Sequence, residues 1–385
     1  RVARRGSEVV ISLELVDTED DRQLWGSQYI NKLAELTKLS SRISVDVADK
    51  LRLKLTGKEQ DSVRRQHTQD NKAYELYLRG RSHWNRLSKE DLLISIDYYQ
   101  QAISLDQEYA QAYAGLAYSY IALASNFLPP QEMMAKARLN ATRALELDET
   151  IADAHYALAT ISYTYDWNWS VSEAEINKAL EYNPNLAGAY NTYSHLMKCL
   201  GRMDEAVAKA ERALELDPLS VLINYSAGYT YIAARRYEEG IEQLNKTIEL
   251  DPNLCYTYEA LGWAHLLRGH HGQARTFLDK AVKLSKGQRS PKITMALLLA
   301  STGNAREAQK ILDEIDRAYS QQYFDPTPVA SVYGALGKKK EAFMWLERAY
   351  ETRSARLLFI KIDPSFDSLR SDPRFQDLLR RIGNA

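Results

Sequence analysis

The sequence predicts a mostly α-helical protein: a right-handed α-solenoid of about eight helix pairs, with a small α+β (ββα) module before it and a capping helix after it. Two observations carry this prediction. Asp217-Pro218 and Asp251-Pro252 lie 34 residues apart, and Gly269, Gly303 and Gly337 recur at the same interval. Between these markers, small and apolar residues are spaced by three and four, which is the period of an amphipathic helix.

Composition and charge exclude several classes of protein. Of the 385 residues, 45% are hydrophobic and 26% charged, as in ordinary soluble domains. Lysine and arginine number 50 against 51 aspartates and glutamates, which excludes a polybasic nucleic-acid-binding arm. No apolar run approaches the roughly 20 residues of a membrane helix. We therefore expect neither nucleic-acid binding nor membrane insertion by this chain. The chain begins at Arg1, and we expect it to be a piece of a longer protein.

The first 57 residues predict the ββα module. Apolar and polar residues alternate over residues 8–16, which indicates a strand, and Trp25 and Tyr29 share one face of a second strand over 22–29. A helical stripe of apolar residues follows over 33–51. So short a segment buries little core. We therefore expect the first strand to have another neighbour in the intact protein.

The next 13 residues, 58–70, are polar and charged and predict a linker before the repeats, which occupy 71–356. In one repeat, Gly201 is expected to break the first helix and Pro218 to end the second, because proline lacks the backbone donor that a helix needs. One unit carries extra residues over 126–133, interpreted as a surface loop. The turn with Trp167 and Trp169 is interpreted as packing, with contact to a partner as the alternative.

The repeats match a known pattern of residues. In one unit the positions of an aromatic, a leucine-glycine pair and the small residues of the second helix are occupied by Tyr258, Leu261, Gly262, Ala274, Leu278 and Ala281. This pattern resembles the tetratricopeptide repeat, and eight units across 71–356 share its register. The resemblance implies a solenoid whose first helices line a concave groove for a protein or peptide ligand.

The amino-terminal segment carries a second resemblance. Arg4-Arg5-Gly6, the run 9–17, Leu24-Trp25 and Tyr29 are similar to the final part of a TolB-like domain. In bacterial signalling proteins this module links an upstream effector, commonly a Ser/Thr kinase, a winged-helix domain or a nucleotide cyclase, to tetratricopeptide repeats. The resemblance implies that this chain is the docking or sensory part of such a protein, with the effector outside it.

No motif for catalysis or cofactor binding is present. The sequence lacks a P-loop, a dinucleotide-binding glycine motif, a nucleophile elbow and the protein-kinase segments. His265, His270 and His271 surround one turn without an adjoining acidic or cysteine ligand, so they are interpreted as structural. Cys199 and Cys255 are too far apart in the repeat array for a disulfide. We expect no catalytic residue, no metal and no cofactor in this chain.

The repeat resemblance assigns residues to the groove. Mapping its first-helix positions onto this sequence gives a mostly aromatic set: Tyr118, Tyr156, Tyr163, Asn191, His195, Tyr225, Tyr229, Glu259 and Trp263. Such a surface holds a peptide or helix mainly by burying rings. The alternative is that several of these rings only pack between neighbouring repeats. The final residues, 357–385, predict a cap with Arg380 and Arg381 turned to water.

These inferences lead to one function and two alternatives. The leading hypothesis is a non-catalytic protein–protein interaction scaffold in bacterial signal transduction, located in the cytoplasm. The alternative compartment is the periplasm, following an upstream membrane helix. One alternative function is the substrate-specificity region of a Ser/Thr kinase or transferase whose catalytic domain lies outside this chain. The other is a structural assembly adaptor.

Overall fold

The computed structural model describes residues 2–5, 8–16, 20, 22–32, 39, 42, 43, 45–47, 68–86, 88–319 and 323–383. The chain divides into two compact units. Unit 1 comprises residues 1–119 and 143–149, and unit 2 comprises residues 120–142 and 150–385.

A three-stranded antiparallel sheet begins unit 1. Its strands are β1 (Val2–Arg5), β2 (Glu8–Val16) and β3 (Gln23–Lys32), in that order across the sheet. The two predicted strands are confirmed as β2 and β3, and Trp25 and Tyr29 lie on one face of β3, where they pair with Leu15 and Ile11 of β2. β1 was not predicted.

β1 pairs with the edge of β2 that β3 leaves open, so the neighbour expected from outside the chain is supplied from within it. Four residues are too few to show a clear alternation. The predicted helix over 33–51 and the predicted linker lie mostly outside the described residues. Of that helix, residues 39, 42, 43 and 45–47 are described, and all are helical.

Sixteen α-helices follow over the described residues between 71 and 351. They are α1 (Asn71–Trp84), α2 (Lys89–Leu105), α3 (Ala110–Asn126), α4 (Pro130–Leu147), α5 (Ala152–Ile161), α6 (Trp169–Tyr182), α7 (Ala187–Cys199), α8 (Met203–Leu216), α9 (Val221–Ala233), α10 (Tyr237–Leu250), α11 (Cys255–Leu267), α12 (His271–Leu284), α13 (Ser290–Ser301), α14 (Ala305–Tyr319), α15 (Thr327–Ala335) and α16 (Lys339–Glu351). Taken two at a time, they form the eight predicted helix pairs, which confirms the fold class.

The turns inside the later pairs repeat one backbone conformation at the 34-residue period. Gly201, Gly269, Gly303 and Gly337 all have φ between 72° and 82°, the left-handed conformation that ends a helix without strain at glycine. The same position in the intervening repeat is occupied by Arg235, whose φ is 62°. The backbone conformation therefore repeats even where the glycine does not.

Small residues let the two helices of a pair approach closely. A Cβ added to Gly262 of α11 would lie 2.6 Å from Cγ of Leu278 in α12. A side chain at this position would therefore push the two helices apart. This contact is the structural basis of the leucine-glycine pair in the repeat pattern.

The extra residues over 126–133 do not form the loop that the sequence suggested. α3 continues to Asn126 and α4 begins at Pro130, so only residues 127–129 lie between the two helices. Proline is tolerated in the first turn of a helix, where its missing N–H has no intrahelical partner. The insertion therefore mainly lengthens both helices.

Both tryptophans of the turn before α6 pack within unit 2, as interpreted. A π-helical turn, Ser162–Asp166, continues α5 and ends at Trp167, whose indole is 9% exposed. The guanidinium of Arg353 lies 4.0 Å from the centre of that ring. Nε1 of Trp169 donates a 3.0 Å hydrogen bond to the carbonyl of Gly383. Both contacts reach the carboxy-terminal part of the chain.

The chain after α16 contains two 3₁₀-helices and a final α-helix, α17 (Pro373–Arg381). The two 3₁₀-helices, Ala355–Phe359 and Pro364–Leu369, together form what we call the tail segment, residues 355–369. Aspartates cap the later elements, because the Oδ1 atoms of Asp363 and Asp372 accept hydrogen bonds from the backbone N–H groups two residues on.

α17 buries Phe375, Leu378 and Leu379. Arg380 is turned to water as predicted, with 69% of its side chain exposed. Arg381 is exposed as well, with 34% of its side chain accessible. Its guanidinium also lies 4.0 Å from the centre of the Tyr350 ring and donates to both carboxylate oxygens of Glu347 at 2.8 Å. A ring face and a carboxylate both attract a guanidinium.

None of the helices in the described part of the chain combines the length and the apolarity that crossing a bilayer requires.

Candidate binding cavity

The first helices of five consecutive repeats in unit 2 converge on one cavity of about 240 Å³. We call it the groove cavity. α7, α9, α11, α13 and α15 supply its walls, and the tail segment lies across it. Its lining residues are Asn191, His195, Leu222, Tyr225, Ser226, Tyr229, Glu259, Ala260, Trp263, Ile293, Thr294, Leu297, Thr327, Pro328, Ser331, Arg356, Phe359, Asp363, Ser365 and Phe366.

The cavity brings together six of the nine residues assigned from the sequence: Asn191, His195, Tyr225, Tyr229, Glu259 and Trp263. Tyr163 lies behind this surface and stacks on His195 with ring centres 6.4 Å apart. Tyr156 packs on Gly188, and Tyr118 lies in unit 1, where its ring meets Trp84 edge-on at 6.1 Å. The structure therefore does not place these three in the cavity, and a partner-binding role for the set stays a prediction.

The structure adds 14 lining residues to the six assigned from the sequence. Nine of them belong to the repeat helices, and five come from the tail segment: Arg356, Phe359, Asp363, Ser365 and Phe366. The predicted repeat array ends at residue 356, and residues 357–385 were expected only to cover the last repeat. The one signal in the sequence is the presence of apolar and aromatic side chains, Phe359 and Phe366 among them, which indicates that the segment is buried but not where.

Aromatic contacts and hydrogen bonds hold the tail segment on the groove. Phe359 meets the ring of His195 edge-on, with ring centres 6.0 Å apart. The indole of Trp263 donates a 3.0 Å hydrogen bond from Nε1 to Oγ of Ser365. Trp263 is itself stacked on Tyr229 at 5.1 Å with an angle of 13° between the rings, so the two form one flat wall.

A fully buried lysine lies behind this wall. Lys198 has no exposed surface, and its Nζ donates a 2.9 Å hydrogen bond to Oγ1 of Thr230. The ring centres of Tyr229 and Phe359 lie 5.4 Å and 5.6 Å from Nζ. Among the described residues it has no acidic partner, and burial lowers its pKa to about 7. The amine is therefore close to half-charged at neutral pH.

Besides the phenols of Tyr225 and Tyr229, four titratable groups line the cavity: His195, Glu259, Arg356 and Asp363. Burial holds the pKa of His195 well below its usual range, so the imidazole is neutral, with Nε2 2.8 Å from Oγ of Ser226. Burial also raises the pKa of Asp363. For Arg356, burial opposes the charge, but the carboxylates of Glu259 and Asp325 hold its pKa above the usual value. Arg356 therefore stays cationic.

The remaining candidate ligands of a metal ion do not converge. In the described ranges, no three His, Cys, Asp or Glu side chains come close enough to hold one. His265 stacks face to face on Phe277, with ring centres 5.3 Å apart. Cys199 and Cys255 are both buried free thiols.

A family model described as the tetratricopeptide repeat matches residues 222–254, which span helices α9 and α10. No curated protein matches the chain significantly in sequence. Among solved structures, the chain is similar to the human IFIT1 dimer with m7Gppp-AAAA, with 16% identity, 82% of this chain and 76% of that chain covered, and a TM-score of 0.50.

Two further solved structures are smaller proteins. Pseudomonas aeruginosa PilF shares 20% identity over 56% of this chain and 94% of its own, with a TM-score of 0.43. YrrB, described as a TPR protein with an unusual peptide-binding site, shares 20% identity over 50% of this chain and 95% of its own, with a TM-score of 0.34. At these identities the likeness concerns the fold.

Proposed function

We propose that this chain is a non-catalytic protein–protein interaction scaffold whose groove cavity binds a peptide segment of a partner. The supporting observation is that the groove already holds a peptide, the tail segment of the same chain. Phe359 fills the aromatic end near His195, and Ser365 accepts the hydrogen bond of Trp263. The wall therefore has the chemistry to hold a short helical turn with an aromatic side chain.

The tethered tail competes with any partner for this surface. A covalently linked segment acts at a high effective concentration, so a free peptide must displace it before binding. We therefore expect weak binding of free peptides to the intact chain and stronger binding once the contacts of the tail are weakened. A partner would resemble the tail: an aromatic anchor and, a few residues later, a small polar residue.

We further propose that the chain is the docking part of a bacterial signalling protein in the cytoplasm. This rests on the resemblance of residues 1–57 to the end of a TolB-like module, which in such proteins precedes the repeats. The effector would lie outside this chain. We also propose that the partner is a protein rather than a nucleic acid, because the described lining of the cavity offers one cation, Arg356, beside the carboxylates of Glu259 and Asp363.

The test uses a fluorescently labelled peptide that copies residues 354–370. It is titrated against the intact chain and against the double variant Phe359→Ala, Ser365→Ala, whose tail has lost its ring contact and its hydrogen bond to the wall. Fluorescence anisotropy should show about tenfold tighter binding to the double variant, because the internal competitor is weakened.

Two further variants make the result specific to the groove. Adding Trp263→Ala to the double variant should abolish the gain, because the indole both stacks on the peptide and donates to it. Adding Leu250→Ala, at a half-exposed residue of the second helix α10, should leave it unchanged. Far-UV circular dichroism checks that all variants keep their helices. No binding to the double variant, or equal binding after Trp263→Ala, would contradict the proposal.

A further inference from the structure

The groove cavity also contains an acidic and a basic group that do not pair with each other. Glu259 of α11 and Arg356 of the tail segment both line the cavity. A single hydroxyl lies between them: Nη1 of Arg356 donates to Oγ of Ser290 at 3.4 Å, and that hydroxyl donates to Oε1 of Glu259 at 2.6 Å. Because the carboxylate and the guanidinium line the same cavity without an ion pair between them, each can bind a ligand group of opposite charge.

The carboxylate of Glu259 is only half satisfied. Its Oε1 atom accepts hydrogen bonds from Ser290 and, at 2.7 Å, from Oγ1 of Thr294. Its Oε2 atom is buried and has no hydrogen-bond donor among the described residues, while the residue as a whole is 7% exposed. A buried carboxylate oxygen without a donor is costly, so such a group is usually matched by a ligand or a cation.

Arg356 has more hydrogen-bond donors than its contacts use. A guanidinium carries five N–H donors, and the hydrogen bond to Ser290 uses one of them at a long distance. Although protein groups surround Arg356 closely enough to oppose its charge, the residue keeps surface exposed to solvent, as does Leu222, which is 38% exposed. This side of the cavity is therefore open to a small molecule from solvent.

The rest of the lining is apolar and aromatic. Tyr229 and Trp263 form a flat wall, and Ile293 and Leu297 add an aliphatic side. The volume of about 240 Å³ corresponds to roughly eight water molecules in the liquid. It is smaller than the roughly 300–1,000 Å³ of sites for drug-sized ligands. The space therefore suits a molecule of roughly ten non-hydrogen atoms.

We propose that the groove cavity binds a free α-amino acid with an apolar or aromatic side chain. Its carboxylate would bind the guanidinium of Arg356, its ammonium group would donate to Glu259, and its side chain would lie against Tyr229 and Trp263. The two head groups of an α-amino acid are separated by one carbon atom, which fits a cation and a carboxylate with one serine hydroxyl between them. The ligand would also join the wall to the tail segment.

This site uses the same cavity as the proposed peptide groove but does not require a peptide partner. L-Phenylalanine and L-leucine are the first probes, titrated into the intact chain by isothermal calorimetry. Two analogues each lack one head group: 2-phenylethylamine has no carboxylate and 3-phenylpropionate has no ammonium. We expect at least one of the amino acids to bind and each analogue to bind about tenfold or more weakly, as the loss of one charged hydrogen bond predicts.

Variants assign the head groups. Glu259→Gln should weaken binding of the amino acid about tenfold or more and leave binding of 3-phenylpropionate unchanged. Arg356→Gln should also weaken binding of the amino acid about tenfold or more, but leave binding of 2-phenylethylamine unchanged. Glu249→Gln, at an exposed carboxylate on the second helix α10, is the matched control and should change nothing. If a variant lost its helicity, the binding of the two analogues to the intact chain would still show whether both head groups contribute.

Three results would overturn this inference. One is the absence of binding by any apolar or aromatic amino acid up to about 10 mM. Another is equal binding of an analogue that lacks one head group. The third is undiminished binding to folded Glu259→Gln and Arg356→Gln. None of these results bears on the peptide titration above, so the two proposals fail separately.

Discussion

The indole Nε1 of Trp263 lies 3.0 Å from Oγ of Ser365, a residue 102 positions further along the chain. This hydrogen bond connects the first helix of an internal repeat to the second 3₁₀-helix of the tail segment. This bond joins the flat aromatic wall, Tyr229 and Trp263, to the tail, so it reports directly on whether the tail is bound to the groove.

Replacing Trp263 with phenylalanine keeps a ring in the wall but removes the N–H donor. We expect the docked tail to lose about 1 kcal/mol, the usual contribution of one hydrogen bond. Backbone amides over residues 364–369 should then exchange with solvent about fivefold faster. Hydrogen exchange read by mass spectrometry measures this.

A matched variant localises the effect. Trp169→Phe also removes one indole N–H, but its 3.0 Å partner is the carbonyl of Gly383 at the end of the chain. It should speed exchange near α17 and leave residues 364–369 unchanged. Equal exchange over 364–369 in Trp263→Phe and the unaltered chain would mean that the bond does not hold the tail.

The left-handed residue Arg235 predicts a stabilising substitution. A non-glycine residue at φ 62° is strained, and the exposed side chain of Arg235 makes no hydrogen bond among the described residues. Arg235→Gly should therefore stabilise the chain by about 0.5 to 1 kcal/mol, because the relief of strain exceeds the entropy that glycine loses. The midpoint of urea unfolding measures the change.

The opposite substitution at the equivalent turn is the control. Gly201→Ala places a Cβ at φ 73°, where no atom lies within 4 Å of it. Strain alone should then destabilise the chain by about 1 kcal/mol. If both variants shifted the midpoint in the same direction, the left-handed conformation would not be the cause.

The buried amine of Lys198 predicts a dependence of stability on pH. Its pKa falls from the usual 10.5 to about 7 in the folded chain. Between these two values the unfolded chain binds a proton that the folded chain does not, so stability increases with pH across this window. Below about pH 7 both states are protonated, and the cost of the buried charge is present in full.

Lys198→Met removes this dependence. The variant should be more stable than the unaltered chain near neutral pH, and the difference should shrink by at most about 1.4 kcal/mol for each pH unit towards pH 10. Urea unfolding at several pH values between about 7 and 10 measures it. Lys283→Met, at an exposed lysine, should show a difference that does not vary with pH. A constant difference for Lys198→Met would mean that the amine titrates normally.

Ser354 joins the start of the tail to the last repeat. Its Oγ donates to Oδ1 of Asp325 at 2.7 Å and lies 2.7 Å from Oγ1 of Thr327. Ser354→Ala removes one hydrogen-bond partner from Asp325 and one from Thr327. It should therefore destabilise the chain by about 1 to 3 kcal/mol. Ser104→Ala, at an exposed serine of α2, is the control and should change thermal unfolding little.

The fold was largely predictable because its signals are local and repeated. The 34-residue interval located the helix pairs, and the glycines located the turns inside them. Where a position lacked its glycine, as at Arg235, the interval still placed the turn. β1 was missed because four residues carry too little alternation, and the extra residues before Pro130 were misread because proline is as compatible with a first helical turn as with a loop.

Only the side of the cavity formed by the repeat helices was predictable from the sequence; the side formed by the tail segment was not. The positions of Tyr229, Glu259 and Trp263 follow from the repeat, because each occupies the inner face of a first helix. The position of Phe359 does not follow from any local pattern, since it depends on a chain end returning across repeats more than a hundred residues earlier. Long-range packing of this kind is decided by complementary surfaces, which a single sequence does not display.

The contacts of Gly383 with Trp169 and of Ser365 with Trp263 have a consequence for how the array can change. Stacked repeats ordinarily interact only with their neighbours, so units can be gained or lost without harm. Here hydrogen bonds join the carboxy-terminal end of the chain to repeats in the middle of the array. Deleting or duplicating one repeat between them would move the bonded groups too far apart to interact. We therefore expect the chain to tolerate no change in the number of repeats between α6 and the carboxy terminus, and this stretch to unfold as one cooperative unit.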